Sequence, residues 1–257
     1  MVARTPVSIV IPTRNEALQI GECVRGLAWA GEVIVVDGAS ADGTAESARA
    51  AGARVLNGAR AGTGGQTIAA QRNAGIGAAA HEWVFALDAD ERIGPALAGE
   101  LAAVVAAPRH EAYAVHRRNV YLGRVMRHAG WGNNWTVRLF RRDRRFIERR
   151  VHEGLEAVSD VGRLGAAMDH TPYRDLAHHW QKLTLYAGWG AQDLAENGRR
   201  AGLGDLLLRP PFMFFRSYVL QRGFLEGWRG AVLSGFAAIS VFLKYARLWE
   251  LRTGRDA

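Results

Sequence analysis

The chain has 257 residues, 49% of them hydrophobic and 23% charged, so it can bury a full core as one large domain or a domain with an appendage, and it is not a disordered chain. Its formal net charge is +8, nearly all of it arginine because Lys182 and Lys244 are the only lysines, and this points to an anionic partner or to an arginine-biased surface. The single cysteine, Cys23, excludes a disulfide within the chain. The opening stretch MVARTPVSIVIPTRNE carries no long apolar h-region, so no signal peptide is expected, and no apolar run approaches the ~20 residues of a spanning helix.

VSIVIP (7–12) is a continuous β-branched run, the pattern of a strand buried on both faces. TRNE follows, and then apolar Leu18, Ile20, Val24 and Leu27 at helical spacing, with Asn15 placed to cap the helix. EVIVVDGASADGT (32–44) repeats the plan, ending in an acid and small turn residues before a helix through AESARAAG. ARVLN (53–57) is a short third strand, QTIAAQRNAGIGAAA (66–80) a helix, and EWVFALDADE (82–91) a fourth strand. Strands alternating with helices predict a mainly parallel α/β sheet with right-handed crossovers, whose ligands sit beyond the carboxyl ends of the strands. The polar residues cluster at those ends: Thr13 to Glu16, Asp37, and Asp88 with Asp90. The glycine-rich GARAGTGGQT (58–67) lacks the lysine of a phosphate-cradling loop and reads as a flexible connection.

Asp88 and Asp90 stand two apart, so on an extended segment both carboxylates face one point. Two anions that close repel unless a cation lies between them, and a hard divalent ion is the natural occupant. On its own, D-x-D reads equally as acids that merely end a strand.

The ordered set IPTRNE, VVDGASADGT, AQRNAGI and LDADE resembles the family 2 glycosyltransferases, strongly over residues 6–115. The resemblance implies a GT-A, Rossmann-like fold binding a nucleotide sugar, with a divalent metal, Mg²⁺ or Mn²⁺, as cofactor. It implies Pro12, Thr13, Arg14 and Glu16 around the nucleoside, Asp37 on the base, and Arg72 near the diphosphate. It implies Asp88 at the ribose or metal and Asp90 as the main metal ligand.

Residues 117–156 break the βα rhythm with short strand-like pieces, aromatics and arginines. Trp131 and Trp135 could stack on sugars or anchor a loop, and Arg138, Arg141, Arg142, Arg144 and Arg145 suggest an anionic acceptor or headgroups. RRVHEGL follows RLFRR, as in the subgroup resembling lipopolysaccharide core glycosyltransferases. By that resemblance Glu153 is the base that takes the acceptor proton, His152 binds metal or phosphate or only packs, and His170 lies near the acceptor; Glu91 and Asp169 are the alternative bases. Residues 206–254 place Phe212, Phe214, Phe215 and Trp228 beside Arg209, Arg216, Arg222 and Arg229, the pattern of interfacial helices on an acidic leaflet, or of an appendage packed on the catalytic domain or a second subunit.

The organisation expected is a nucleotide-sugar half (1–115), an acceptor half (116–175) and a C-terminal helical, membrane-associating extension (176–257). The function expected is an inverting, metal-assisted transfer from a nucleotide sugar, UDP-linked, to a lipid-linked or lipopolysaccharide-core acceptor, with a lipid-linked or phosphorylated saccharide and an acidic membrane surface as partners, without nucleic acid, in the cytoplasm and peripherally on the inner face of the plasma membrane. The alternatives are transfer to polyprenyl phosphate, and a non-catalytic binder of anionic glycan on the same fold. The sugar, the linkage and the oligomeric state stay open.

Overall fold

The computed structural model describes residues 4–58, 67–147 and 154–253. They fall into two compact units, Met1–Arg117 with Asn134–His170, and Arg118–Asn133 with Thr171–Ala257. These bounds differ from the divisions at 115 and 175, because residues 118–133 join the C-terminal helices.

The first unit opens with β1 (Thr5–Thr13), α1 (Ala17–Arg25), β2 (Ala30–Asp37), α2 (Thr44–Ala50), β3 (Arg54–Asn57), α3 (Ile68–Ala78) and β4 (Trp83–Ala86). It continues with β5 (Glu91–Arg92), α4 (Pro95–Ala106), β6 (Ala112–Tyr121), whose last residues belong to the second unit, and β7 (Arg124–Val125), which lies wholly in the second. Back in the first unit come β8 (Trp135–Arg141), β9 (Phe146–Ile147), β10 (Gly154–Leu155) and β11 (Val161–His170). The strand order is β3-β2-β1-β4-β8-β6-β11-β5, with β9 and β10 forming a separate pair. The β1–β2, β2–β3 and β1–β4 pairs are parallel, whereas β4–β8, β6–β8 and β11–β5 are antiparallel. The sequence break near residue 117 therefore marks a change from parallel to antiparallel pairing.

Strict alternation explains the continuous apolar runs. Val7, Ile9 and Ile11 of β1 face one core with Ile20, Val24 and Leu27 of the α1 region and Leu97 and Leu101 of α4. Val10, with Ile34 and Val36 of β2, faces the other core with Ala69 and Ile76 of α3. Both faces are covered, so the central strand positions are nearly all apolar, and the buried exception, Ser8, donates to Glu32 Oε2 at 2.8 Å. Cys23 is buried against the first core, and burial pushes its thiol up to about 12, which makes it inert. Gly75 sets the approach of α3: a Cβ there would stand 2.4 Å from Val10 Cγ1, so only glycine lets the helix lie this close to the sheet.

Asn15 does not cap α1. It adopts φ 57°, and its Oδ1 accepts from Ala41 N at 3.0 Å. The N-cap is Glu16, and the start of the helix is served instead by Asp42 Oδ2, which accepts from Ala17 N at 3.1 Å, and by Thr44 Oγ1, which accepts from Glu16 N at 2.8 Å.

The second unit adds α5 (Leu176–Glu196), α6 (Leu203–Leu207), α7 (Arg209–Phe215), a π-helical turn (Arg216–Leu220), a 3-10 turn (Gly223–Glu226) and α8 (Trp228–Thr253). Tyr121, Met126 and Ala129 pack with Leu233 of α8, while Ala191 of α5 packs with Tyr245 and Leu248. His179 lies stacked between Tyr173 and Phe236, centroids 3.7 and 4.1 Å away, and its Nδ1 is 2.9 Å from the Tyr121 hydroxyl. Burial, with His178 adding to it, lowers the His179 imidazole to about 4. The expectation of no run long enough to span a membrane is corrected here: α8 has 26 residues and by length and composition alone could cross one.

Candidate active site

The site is built at the carboxyl edge of the parallel strands. Thr13 and Asp37 are register partners on β1 and β2, and Asp37 faces Asn57 on β3. Pro12, Thr13 and Asp37 are buried, Glu16 is half-buried and Arg14 is exposed. The Asp37 carboxylate accepts from Ser40 N at 3.1 Å and Ser40 Oγ at 2.5 Å. Ser40 Oγ in turn accepts from Asn15 N at 2.8 Å. With the Asp42 and Thr44 bonds to α1, these ties join the loops after β1 and β2 into one rigid floor.

At the end of β4 the sequence-based geometry is corrected. The strand stops at Ala86, and residues 88–91 form a turn in which Glu91 N donates to Asp88 O at 3.0 Å and Asp88 N to Glu91 Oε2 at 2.9 Å. The turn sends the two aspartates to different partners instead of to one point. Asp88 Oδ1 accepts from Arg72 Nη2 at 2.5 Å and Oδ2 from Arg138 Nη2 at 2.7 Å. Burial works to raise the Asp88 carboxyl, but the charges of Arg138 and Arg72 and their hydrogen bonds outweigh it and hold it well below the usual carboxylate range. With both oxygens on guanidinium nitrogens, Asp88 is not placed as a metal ligand.

Glu91, expected as an alternative base, is wholly buried. Its Oε1 accepts from Arg138 Nη2 at 2.7 Å and Arg117 Nη1 at 3.4 Å. Burial raises its carboxyl, Arg138 opposes this, and the charges of Asp88 and Asp90 add to it. No face of Glu91 is open to a substrate, so its role is to hold arginines.

Arg138 is corrected as well: it is a buried strut between two carboxylates, not an exposed acceptor contact, because on β8 it points into the sheet edge. Its Nε is buried without a hydrogen-bond partner, a further sign that packing and not solvent fixes this side chain. Arg141, three residues on, pairs with Glu82 and lies over the Trp83 ring at 4.1 Å, at the opposite end of β8. Arg142 donates to Ala79 O, Arg144 to Glu111, and Arg145 to the carbonyls of Arg142 and Arg144. Of the five arginines, Arg138, Arg141 and Arg144 are thus paired with carboxylates at different places, while Arg142 and Arg145 donate to backbone carbonyls.

Asp90 meets a different residue. β11 pairs with β5 so that His170 stands opposite Glu91, and this register brings His170 Nε2 to 3.7 Å from Asp90 Oδ2. The two side chains are 15% and 13% exposed, open to solvent by a narrow edge. Two donors about 2.1 Å from one ion in adjacent octahedral positions lie about 3 Å apart, so a small closing motion fits this pair to a divalent cation. Among the described residues no cluster of three or more metal-ligating side chains exists, so water and substrate oxygens would fill the remaining positions. His170, expected beside the acceptor, is thus found beside the Asp90 carboxylate.

A cavity of about 550 Å³ adjoins Asp88, lined by Arg72, Arg117, Trp135, Arg138 and Phe146 among others. Arg72 lies over the Phe146 ring at 4.8 Å. Trp135 is exposed at its mouth, with Arg163 5.0 Å from the ring centroid. Trp131 is not there: it packs edge-on against Tyr121 in the apolar cluster of the second unit, which is the anchoring alternative. His152 and Glu153 lie outside the described residues, as does most of the glycine-rich stretch 58–67.

Two contributors went unseen in sequence. Asn73 clamps the backbone of β9, donating to Phe146 O at 2.9 Å and accepting from Phe146 N at 2.8 Å. It stands beside Arg72 in QRN, and only that adjacency hinted at it. Arg117 had no local signal, because its partner Glu91 is 26 residues away.

Comparison with known proteins agrees with this geometry. Residues 8–174 match the model of Glycosyl transferase family 2. The chain is 28% identical to the lipopolysaccharide core biosynthesis glycosyltransferase LpsC of Rhizobium meliloti, over 96% of this chain and 95% of that protein. It is 26% identical to an uncharacterized glycosyltransferase of Rickettsia bellii, over 95% of this chain and 86% of that protein. The S. aureus TarS structure (residues 1–349, in complex with UDP) has a TM-score of 0.50 at 18% identity, covering 96% of this chain and 91% of that one, and shares the fold. With a family match over residues 8–174 of 257 and a GT-A sheet whose parallel strands end with Thr13 beside Asp37, the chain belongs to glycosyl transferase family 2 and is a glycosyltransferase.

Proposed function

We propose that this glycosyltransferase moves a sugar, with inversion, from a UDP-linked donor to a lipopolysaccharide-core acceptor at the inner face of the plasma membrane. The observation that carries the mechanism is the β5–β11 register that seats His170 against Asp90. A divalent metal held by these two would offset charge on the leaving diphosphate. An imidazole with a carboxylate favours Mn²⁺ over Mg²⁺, since Mg²⁺ takes oxygen ligands and keeps its waters. His152 remains a proposed further contact to metal or phosphate. Pro12, Thr13, Arg14, Glu16 and Asp37 bind the nucleoside on the latched floor, and Arg72 and Asp88 orient the donor beside the cavity. Trp135 offers the acceptor sugar a flat apolar face.

Glu153 takes the acceptor hydroxyl proton while that oxygen bonds to the anomeric carbon and the bond to the diphosphate breaks. The likeness to LpsC over nearly the whole chain supports the choice of acceptor class. The exposed Phe212, Phe215, Leu220, Phe224 and Trp228 of the second unit support a peripheral membrane seat.

The test is release of nucleoside diphosphate by the full-length protein with UDP-sugars, truncated lipopolysaccharide core or polyprenyl phosphate, and Mn²⁺ or Mg²⁺. Asp90→Asn and His170→Ala should each keep the fold and lose metal-dependent UDP binding. Equal UDP binding with and without chelator in both variants rejects the metal assignment. Turnover on polyprenyl phosphate alone rejects the acceptor, and no turnover of any donor favours a glycan-binding protein.

A further inference from the structure

A second cavity, of about 420 Å³, lies within the second unit, lined by Arg124, Val125, Arg127, His128, Leu225 and Glu226. It is formed where the β7 hairpin meets the 3-10 turn before α8. Glu226 is buried and fastens the two: its Oε1 accepts from Arg127 N at 2.8 Å, His128 N at 3.0 Å and His128 Nδ1 at 2.7 Å. Burial raises the Glu226 carboxyl, but these backbone and imidazole bonds outweigh it and hold it below its ordinary value, so it stays ionised. Its charge is spent on the staple, with Arg124 Nε 3.8 Å from Oε2 as a long, loose contact.

The guanidinium groups around this staple are not so engaged. Arg124, Arg127, Arg216 and Arg222 are exposed. Arg222 and Gly227, at the two ends of the 3-10 turn, both adopt positive φ, 57° and 62°. In and beside the 3-10 turn that forms one wall of the cavity, apolar side chains are exposed: Leu220 is 59% exposed, Phe224 48%, Leu225 50% and Trp228 57%. Leu225 lines the cavity itself. A basic notch ringed by exposed apolar groups matches one ligand chemistry, a phosphate that carries acyl chains: the phosphate enters the notch and the chains meet the ring.

We propose that the notch of Arg124 and Arg127 is the headgroup-phosphate site by which the second unit recognises an anionic phospholipid bilayer. This rests on the membrane seat proposed above and deepens it. It moves the charge recognition from the C-terminal helices alone to a hairpin at residues 124–128, and it assigns the apolar ring to insertion and the notch to selection of anionic lipid.

The test uses the full-length protein and sedimentation with vesicles of phosphatidylcholine, alone or with phosphatidylglycerol. Arg124→Gln/Arg127→Gln should bind the anionic vesicles about thirtyfold more weakly, because each arginine near such a surface is worth roughly fivefold. Arg199→Gln, an exposed arginine elsewhere in the same unit, should bind as the wild type does. Melting temperature and UDP binding are measured on each preparation, and a variant that fails to fold is replaced by the single substitution Arg127→Gln, whose side chain lies outside the Glu226 staple. Inorganic phosphate at millimolar concentration should compete with the wild type only weakly, since it lacks chains. Strong competition would make the notch a free-phosphate site and overturn the proposal. Unchanged anionic binding by the double variant overturns the notch while leaving the membrane seat standing. Wild-type protein that ignores all vesicles overturns both, and retained UDP binding shows that the donor reading survives.

Discussion

Replacing Arg138 by methionine tests the organisation of the site. Its Nη2 lies 2.7 Å from both Asp88 Oδ2 and Glu91 Oε1, and the side chain is 5% exposed. Methionine fills similar apolar volume but, among the described residues, leaves Glu91 with Arg117 at 3.4 Å as its one cationic partner beside the Asp88 N bond, and Asp88 with Arg72. Removing one partner of a buried ion pair costs about 3–5 kcal/mol, because the other charge stays buried. Most of that cost falls on Glu91, which has no exposed surface through which to recover hydration. Arg138→Met/Glu91→Gln should therefore cost about 1–3 kcal/mol less than the two single changes added. Urea unfolding of the four proteins at pH 7 measures this cycle. A loss under ~1 kcal/mol for Arg138→Met, or strict additivity, would refute the claim that the strut neutralises buried carboxylates.

The His179 imidazole, lowered to about 4, must stay neutral in the folded protein while the unfolded chain protonates near 6.5, so stability falls as pH falls from 6.5 towards 4. Between pH 7 and pH 5 this amounts to about 2 kcal/mol, and His179→Phe should remove that slope while adding a constant penalty for the Tyr121 hydroxyl; parallel slopes in the two proteins would disprove it. Asp42→Ala deletes the bonds to Ala17 N and to Thr44, so it should cost about 1–2 kcal/mol and weaken UDP binding more than acceptor binding, as read by calorimetry; an unchanged UDP affinity would detach the latch from the donor. Glu153→Gln should lower kcat by about 10²–10⁴ with donor affinity held. Near wild-type turnover on the same preparation would return the search to Asp169.

The parallel half of the fold was legible because each strand is buried on two faces, so local hydrophobicity alone marks β1, β2 and β4. The polar carboxyl edge of these strands was legible for the same reason, since polarity begins where those strands end. The D-x-D geometry was not, because a four-residue turn and an extended strand share the letters LDADE. The pairing of Asp90 with His170 was invisible locally: it depends on the β5–β11 register, and the two residues are far apart in the chain. The arginine run misled for a related reason. A strand alternates its side chains between faces and carries them along its length, so neighbours in sequence part company, as Arg138 and Arg141 do. Its density reflected several separate acids, Asp88, Glu91, Glu82 and Glu111, spread over a long span of sequence.

The second unit is discontinuous, and synthesis on the ribosome makes that consequential. The first unit has all its residues once His170 has emerged, but the hairpin of residues 118–133 is made early and waits for α8. During that interval Tyr121 and Met126 lack Leu233, the residue that later covers them. Nascent chains expose such surface to chaperones or to the nearest bilayer. A stop codon between residues 170 and 233 therefore does not yield a trimmed, well-behaved first unit; it yields one carrying a permanently sticky hairpin. Frameshifts and late nonsense changes in this chain should show up as insoluble protein, even though every residue of the first unit is still encoded.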